Sequence, residues 1–281
     1  VSDPAFSLLL PVYAGDDAAH LARALRSCTA EQTLPPDEVV LVQDGPVGPA
    51  LADVLDRARA GGLGVPVRWV PLERNVGLAR ALEAGLAVCA HDVVARADAD
   101  DVSRPGRFAA QVPLVAAGLD LVGSAIQEFA TEEAPGLVRV PPLDAVAIAR
   151  YARLHSPFNH PSVVYRRSAV RAAGGYQDLP LLEDYWLFAR MVAAGARVAN
   201  VPEPLVLYRV GAGAYARRGG LRLLRSELVL QARMRRAGVT TMPQLVRNVV
   251  VRGVYRLLPE AVRRTGYRLW RRADGTVVDG A

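Results

Sequence analysis

Residues 96–108 read RADADDVSRPGRF, and Asp98, Asp100 and Asp101 crowd three carboxylates into four positions directly after the apolar run VVARA. Like charges this close repel and raise each other's pKa values. A cation among them removes that penalty. Hard divalent ions such as Mg²⁺ and Mn²⁺ prefer oxygen ligands, and Mg²⁺ commonly takes one or two protein carboxylates together with substrate phosphates. The cluster therefore has the form of half a metal site, with Asp98 and Asp100 as ligands and a diphosphate supplying the other half. The same residues also suit an acidic loop capping the helix that follows, through Ser103 or Asp101.

Other positions carry chemistry of the same kind. The run VQDGP ends in Asp44, a single carboxylate placed to accept bonds from a nucleobase or ribose. Glu183 and Asp184 open the helix-like segment EDYWLFARMVAAG, where a carboxylate either complements the helix dipole or serves as a base. His160 sits in the loop-like PFNHPS and is either structural or a contact to an acceptor or metal. Arg209, Arg217 and Arg218 suit bidentate phosphate recognition, with solvated loop charge as the alternative.

Elements that would position these groups are readable from the hydrophobic pattern. Apolar runs at 6–12, 38–43, 66–70 and 92–97 read as strands, with helix-like segments at 17–30, 49–60 and 77–89 between them. A helix near 104–117 and a strand at 119–126 follow. The alternation predicts a mostly parallel sheet covered on both faces, with ligands gathering beyond the carboxyl ends of the strands. Those ends carry Pro11-Val12-Tyr13, Asp44-Gly45 and the aspartate cluster. The stretch 127–210 is less regular, and from about 221 the chain reads as helical and basic.

The charge is unevenly distributed. The 281 residues include 34 basic side chains, all of them arginine, and a net charge of +6. Residues 205–281 hold sixteen arginines against Glu227, Glu260, Asp274 and Asp279, a net of +12, while the body is acidic. Such a tail calls for an anionic partner. Along 245–258, Val246, Val249, Val250, Val254, Leu257 and Leu258 share one helical face, with Asn248, Arg252 and Arg256 opposite and Arg247 intruding on the apolar side. The helix either packs on the core or lies on an anionic membrane surface with Trp270 at headgroup level. No apolar run approaches the roughly 18 residues of a membrane span. FSLLLPVY reads as a first strand and not a signal peptide, and Cys28 and Cys89 read as core thiols of a cytoplasmic protein.

Taken in order, PVY at 11–13, VQDGP at 42–46, NVG at 75–77, DADD at 98–101, GGY at 174–176 and ED at 183–184 resemble the nucleotide-sugar-dependent glycosyltransferases of family 2, over about residues 6–210. The segments FNHPSVVYRRSAV and YRVG…RRGG look like a bacterial subgroup acting in exopolysaccharide and lipopolysaccharide assembly. The resemblance implies an α/β GT-A fold with a Rossmann-like, mostly parallel central sheet and flanking helices, to which the residue pattern adds a basic helical C-terminal extension. It implies a donor-binding half at 1–126 and an acceptor and catalytic half at 127–220, followed by the basic amphipathic region read from the residues at 221–281. It further implies a hexosyltransferase-type enzyme that inverts the anomeric centre, using Mn²⁺ or Mg²⁺. The donor would be a nucleotide-diphosphate sugar, foremost a UDP-sugar, and the acceptor a glycan or lipid-linked molecule.

Position by position, the donor would meet Pro11, Val12, Tyr13, Asp44, Asn75, Asp98 and Ala99, with Arg209, Arg217 and Arg218 at the diphosphate. Asp100 and Asp98 would ligate the metal. Asp184 would be the base, with Glu183 as its rival, and His160, Tyr176 and Trp186 would face the acceptor. The enzyme would sit at the cytoplasmic face of the membrane. Three departures from the family pattern stand out: Pro46 follows Asp44-Gly45 where serine is usual, Gln43 replaces a frequent second acid, and no histidine follows Tyr208-Arg209.

Other classes fit less well. A sugar nucleotidyltransferase would carry a glycine-rich basic loop after the first strand, where this chain has the acidic PVYAGDD. A non-catalytic carbohydrate-binding protein gives no reason for the aspartates. The missing Gly-x-Gly-x-x-Gly fingerprint argues against a dehydrogenase. Nucleic acid is disfavoured because the arginines sit among aliphatic residues at helical spacing.

Overall fold

The structure, a computed structural model, describes residues 3–210, 220–257 and 277–278. Its first half alternates strand and helix: β1 (Ser7–Tyr13), α1 (Ala18–Cys28), β2 (Glu38–Asp44), α2 (Pro49–Arg57), β3 (Val67–Leu72), α3 (Leu78–Val88) and β4 (Val93–Arg96). The strands pair in the order β3-β2-β1-β4, all parallel. Parallel strands covered on both faces read as unbroken apolar runs, and Leu8, Leu9 and Leu10 are all fully buried. Leu8 and Leu10 join α1, α2 and Phe108 in one core, while Leu9 joins α3 and Phe188 in the other. Asp17 starts α1 by accepting the His20 N–H at 2.9 Å. Helix α2 stops short of the expected 60, running into a wide turn in which Gly61 has φ +94°.

The second half continues with β5 (Val102–Ser103), α4 (Arg107–Ala116), β6 (Leu121–Phe129), β7 (Pro135–Arg139), α5 (Ala145–Tyr151), β8 (Val164–Arg166), α6 (Arg167–Ala172), α7 (Glu183–Ala193) and β9 (Val198–Arg209). Strand β8 lies antiparallel between β4 and β6, and β9 runs parallel to β6 along its whole length. The short β5 pairs antiparallel with the end of β9. Pro202 and Pro204 disguise β9 in the sequence, since proline removes a ladder donor. Register shifts opposite Ser124–Ile126 accommodate them.

Helices α8 (Leu221–Arg236) and α9 (Met242–Leu257) follow, and β10 (Val277–Val278) pairs antiparallel with β7. Leu223, Leu230 and Met234 of α8 pack on Leu182, Tyr185, Trp186 and Ala189. Helix α9 then turns its polar face inward. Asn248 is fully buried and donates to Arg153 O at 2.6 Å and Gln231 Oε1 at 2.9 Å. Arg252 donates to Glu227 Oε1 and to Leu154 O, both at 2.6 Å. Met242, Val246, Val250 and Val251 face outward, each more than half exposed. Of the expected apolar face, Val246 and Val250 therefore do not pack on the core and Val249 is half-buried, while Leu258 lies outside the described residues. Glu227 and Gln231 are buried on α8, and buried polar groups need partners, which the polar stripe of α9 supplies. Cys28 and Cys89 are buried free thiols.

Candidate active site

The parallel pairing brings Tyr13, Asp44 and Arg96 to the carboxyl edge of the sheet, where the DADD loop bridges β4 and β5. Arg96 is 1% exposed. It grips Asp98 with both terminal nitrogens, Nη1 donating to Oδ2 at 2.5 Å and Nη2 to Oδ1. The Arg96 backbone is fixed on both sides, its N–H donating to Val163 O at 3.0 Å and its carbonyl accepting Arg107 Nη2 at 2.5 Å. Asp101 is buried, with Oδ1 accepting the Arg209 N–H at 2.8 Å and Oδ2 lacking a partner among the described residues. Arg209 also donates from Nε to Asp100 O at 2.8 Å and lies over the Phe129 ring.

These placements shift the carboxylates. Burial raises Asp100 and Asp101 above the usual range, and Asp98 adds to both. Burial also pushes Asp16 up to about 6, opposed by the Tyr13 N–H it accepts and reinforced by Asp100 and Asp98. Asp16 is the member of this acidic group that its sequence context, an ordinary turn after β1, does not single out.

Asp44 is 5% exposed and braces the chain ahead of α3: Oδ1 accepts the Val76 N–H at 2.6 Å and Oδ2 the Gly77 N–H at 3.0 Å. Its remaining lone pairs are what it can offer a base. Asn75 donates weakly to Asp44 O at 3.4 Å, and Gly77 is the residue that caps α3. Gly45 has φ +86°, and a Cβ there would lie 2.5 Å from Asn75 N, so only glycine permits this approach. Gln43 accepts from Trp69 Nε1 and donates to Gly45 O. Pro11 and Val12 are buried in β1, whereas Tyr13 is 45% exposed at its end. Ala99 is buried.

Glu183 and Asp184 begin α7. Leu181, two residues earlier, has φ +67°, a left-handed conformation that costs a non-glycine residue about 1–2 kcal/mol. Burial raises Glu183 to about 7, with Asp184 adding and Arg96 opposing. Burial likewise raises Asp184, against the Tyr185 N–H and the Arg96 charge, and Asp98 contributes upward. The two acidic groups thus share one electrostatic environment, with Arg96 acting on both.

His160 Nε2 and the Tyr176 hydroxyl are 2.9 Å apart. Burial and then the Arg96 charge hold the His160 pKa well below its usual value, so the ring is neutral. The GGY turn is shaped by Glu83, which accepts the Tyr176 N–H at 2.5 Å. A Cβ on Gly175, at φ +64°, would lie 2.7 Å from the Glu83 carboxylate. Trp186 is buried between α7 and α8 and donates to Gln177 Oε1 at 2.8 Å, so the structure gathers it into the core and not with His160. Arg217, Arg218 and Trp270 lie outside the described residues.

The donor set fits a metal only in part. Among the described residues, no group of three or more histidine, cysteine, aspartate or glutamate side chains is arranged to hold an ion. Asp98 is engaged by Arg96, Asp101 Oδ2 is buried without a hydrogen-bond partner among the described residues, and burial keeps Asp100 raised although Arg96 and Arg209 oppose the rise. One or two carboxylates match an ion whose other ligands are donor oxygens and water.

The sequence profile of glycosyl transferase family 2 matches residues 7–172. The chain belongs to that family. It is 40% identical over 227 residues to the amylovoran biosynthesis glycosyltransferase of Erwinia amylovora, covering 80% of this chain and 84% of the relative. It is 34% identical over 271 residues to the Escherichia coli UDP-Gal:alpha-D-GlcNAc-diphosphoundecaprenol beta-1,3-galactosyltransferase, covering 94% and 96%. Among solved structures, S. aureus TarS in complex with UDP-GlcNAc superposes with a TM-score of 0.65 at 15% identity, over 89% of this chain and 72% of that one. A mannosyltransferase from Pyrobaculum calidifontis in complex with GDP-Man and Mn²⁺ gives 0.65 at 17% identity, over 96% and 81%. The chain is a glycosyltransferase with the α/β fold expected from its sequence. No helix among the described residues is long and apolar enough to cross a membrane.

Proposed function

We propose that this glycosyltransferase moves a sugar, with inversion, from a UDP-sugar to a hydroxyl of a lipid-diphosphate-linked or glycan acceptor in bacterial surface polysaccharide synthesis. The carrying observation is that buried Arg96 pairs with Asp98 at the start of the aspartate cluster, while the charges of the same two residues also act on Glu183 and Asp184. One group suits the donor diphosphate and the other an acceptor hydroxyl. Residues 1–126 would form the donor half, 127–220 the acceptor half, and 221–281 the peripheral region.

Asp100 would hold a divalent ion, Mn²⁺ or Mg²⁺, which when bound neutralises charge on the departing diphosphate. Tyr13 lies at the open end of β1 where a base would stack, and Arg209 stands beside Asp100 and Asp101. Asp184 would take the proton of the acceptor hydroxyl in a single displacement. No carboxylic acid is required for the leaving group, unlike in a glycosidase. Glu183, raised to about 7, is partly protonated at neutral pH and suits a hydrogen bond to the acceptor or to Asp184. His160 and Tyr176 would border the acceptor. The galactosyltransferase likeness over nearly the whole chain supports a lipid-diphosphate acceptor.

The outward valines of α9 and the excess of arginine in 205–281 support a place on an anionic membrane surface. A thermal-shift screen of UDP, GDP, dTDP and CMP and their sugars, with and without Mn²⁺, tests the donor class. A native-state ligand raises the midpoint by mass action. A Mn²⁺-dependent shift for UDP-sugars alone is expected; a shift confined to another nucleotide overturns the UDP assignment.

A further inference from the structure

We infer that Asn248 and Arg252 of α9 are positioning residues for the acceptor side, holding the segment that leads from α5 to His160. The inference rests on the reading that places the acceptor beside His160 and Tyr176. Helix α5 ends at Tyr151, and backbone carbonyls that leave a helix need partners from elsewhere. Three in a row find them on distant helices. The Tyr185 hydroxyl donates to Ala152 O at 2.9 Å, Asn248 Nδ2 to Arg153 O at 2.6 Å and Arg252 Nη1 to Leu154 O at 2.6 Å.

The two α9 donors are the ends of a closed ring of hydrogen bonds. Asn248 Nδ2 also reaches Gln231 Oε1 at 2.9 Å, and Gln231 Nε2 donates to Glu227 Oε1 at 3.0 Å. Glu227 Oε1 in turn accepts Arg252 Nε at 2.6 Å. Arg247 Nη2 donates to Asn248 Oδ1 at 2.9 Å, which fixes the amide with its nitrogen toward Arg153 O. Glu227, Gln231 and Asn248 are all fully buried. A buried polar network with its bonds satisfied specifies one arrangement. An apolar seam would hold α8 to α9 as well, but it would not fix which carbonyls α9 meets.

Two routes carry that arrangement to the site. Along the chain, Leu154 leads to Phe158, whose ring packs edge-on against Phe188 of α7 with centres 5.1 Å apart. Asn159 Nδ2 then donates to Ser124 O at 2.9 Å, and His160 meets the Tyr176 hydroxyl. Across space, the Arg252 guanidinium lies 5.5 Å from the centre of the Tyr185 ring, and Tyr185 follows Asp184 in α7. None of these bonds reaches the aspartate loop or Arg209, so the donor side is independent of them.

The test uses the full chain with Asn248→Leu, Arg252→Met and Arg252→Lys. Leu55→Ala, a deletion in the other core, controls for lost stability, and each variant is assayed below its thermal midpoint. Calorimetry of UDP-galactose with Mn²⁺ reads the donor side, and initial rates with a synthetic GlcNAc-diphosphate lipid read the acceptor side. Amide hydrogen exchange over 155–163 reads the segment itself.

In Asn248→Leu and Arg252→Met the acceptor KM should rise about tenfold, with donor affinity within about twofold of wild type. Arg252→Met also loses the contact with Tyr185, so its kcat should fall, whereas Asn248→Leu should keep kcat within about threefold. Exchange over 155–163 should quicken in both. Arg252→Lys can reach Glu227 or Leu154 O but not both, so it should restore part of the loss. Leu55→Ala should lower the midpoint and leave both substrates unaffected. Folded variants with wild-type acceptor KM and exchange overturn the inference, as does an equal rise of acceptor KM in Leu55→Ala. If Arg252→Met does not fold, Asn248→Leu decides by the same criteria. A wild-type protein that transfers nothing to the lipid removes the acceptor reading instead, and exchange over 155–163 then decides whether α9 holds the segment.

Discussion

The backbone N–H of Arg209, the last residue of β9, donates to Asp101 Oδ1 at 2.8 Å across 108 positions of sequence. The aspartate loop is thus closed by a strand from the second half of the chain. The Arg209 side chain adds a bond to Asp100 O and a stack on Phe129. Replacing Arg209 with alanine keeps the backbone bond and removes the cation. Nucleotide-sugar affinity should fall about tenfold or more, because a charge-assisted phosphate contact contributes about 1.5–3 kcal/mol. Calorimetry with UDP and with uridine separates the cases: only the phosphorylated ligand should weaken.

Asp100→Ala should abolish the part of donor binding that depends on Mn²⁺ and leave the weak metal-free part. Titrating the variant with UDP-sugar in Mn²⁺ and in chelator checks it. Equal metal enhancement in wild type and variant would remove Asp100 as a ligand.

Glu183 links the site to stability. Its pKa is raised from 4.5 in the unfolded chain to about 7 in the fold. A raised carboxyl binds its proton more tightly when folded, so its favourable contribution is complete below about pH 4.5. That contribution is lost as pH rises through about 7. Glu183→Gln should therefore stabilise the protein at pH 8 by about 1–3 kcal/mol and change little at pH 4.5. Urea unfolding at both values measures it, and a variant less stable at pH 8 would contradict the burial of this group.

The α8–α9 pair predicts two independent losses. Arg252→Met removes the partner at 2.6 Å from fully buried Glu227 and should cost about 3–5 kcal/mol of stability. Val246→Glu with Val250→Glu changes only outward residues, so the thermal midpoint should hold while sedimentation with phosphatidylglycerol vesicles drops. Unchanged sedimentation would count against the membrane face.

Much of this was legible before the structure. Unbroken apolar runs mark β1, β2 and β4 because both faces of a parallel sheet are buried, and the turn residues between them mark the edge where Asp44 and the aspartates emerge. Strand β9 was hidden by Pro202 and Pro204, whose disruption is absorbed by the partner strand. Arg96 was hidden because an arginine inside VVARA reads as an interruption of the strand, and its bidentate hold on Asp98 is a matter of side-chain geometry. Helix α9 shows the limit of periodicity most plainly. The pattern defines two faces, but buried Glu227 and Gln231 on the neighbouring helix decide which one turns inward.

The proposed role of Asp184 as base is tested most directly by Asp184→Asn, which should bind UDP-sugar with Mn²⁺ within about twofold of wild type while transfer to the proposed lipid-diphosphate acceptor falls by about three orders of magnitude or more, about 4 kcal/mol of barrier. Transfer that stays within about tenfold of wild type, about 1.4 kcal/mol, would contradict it.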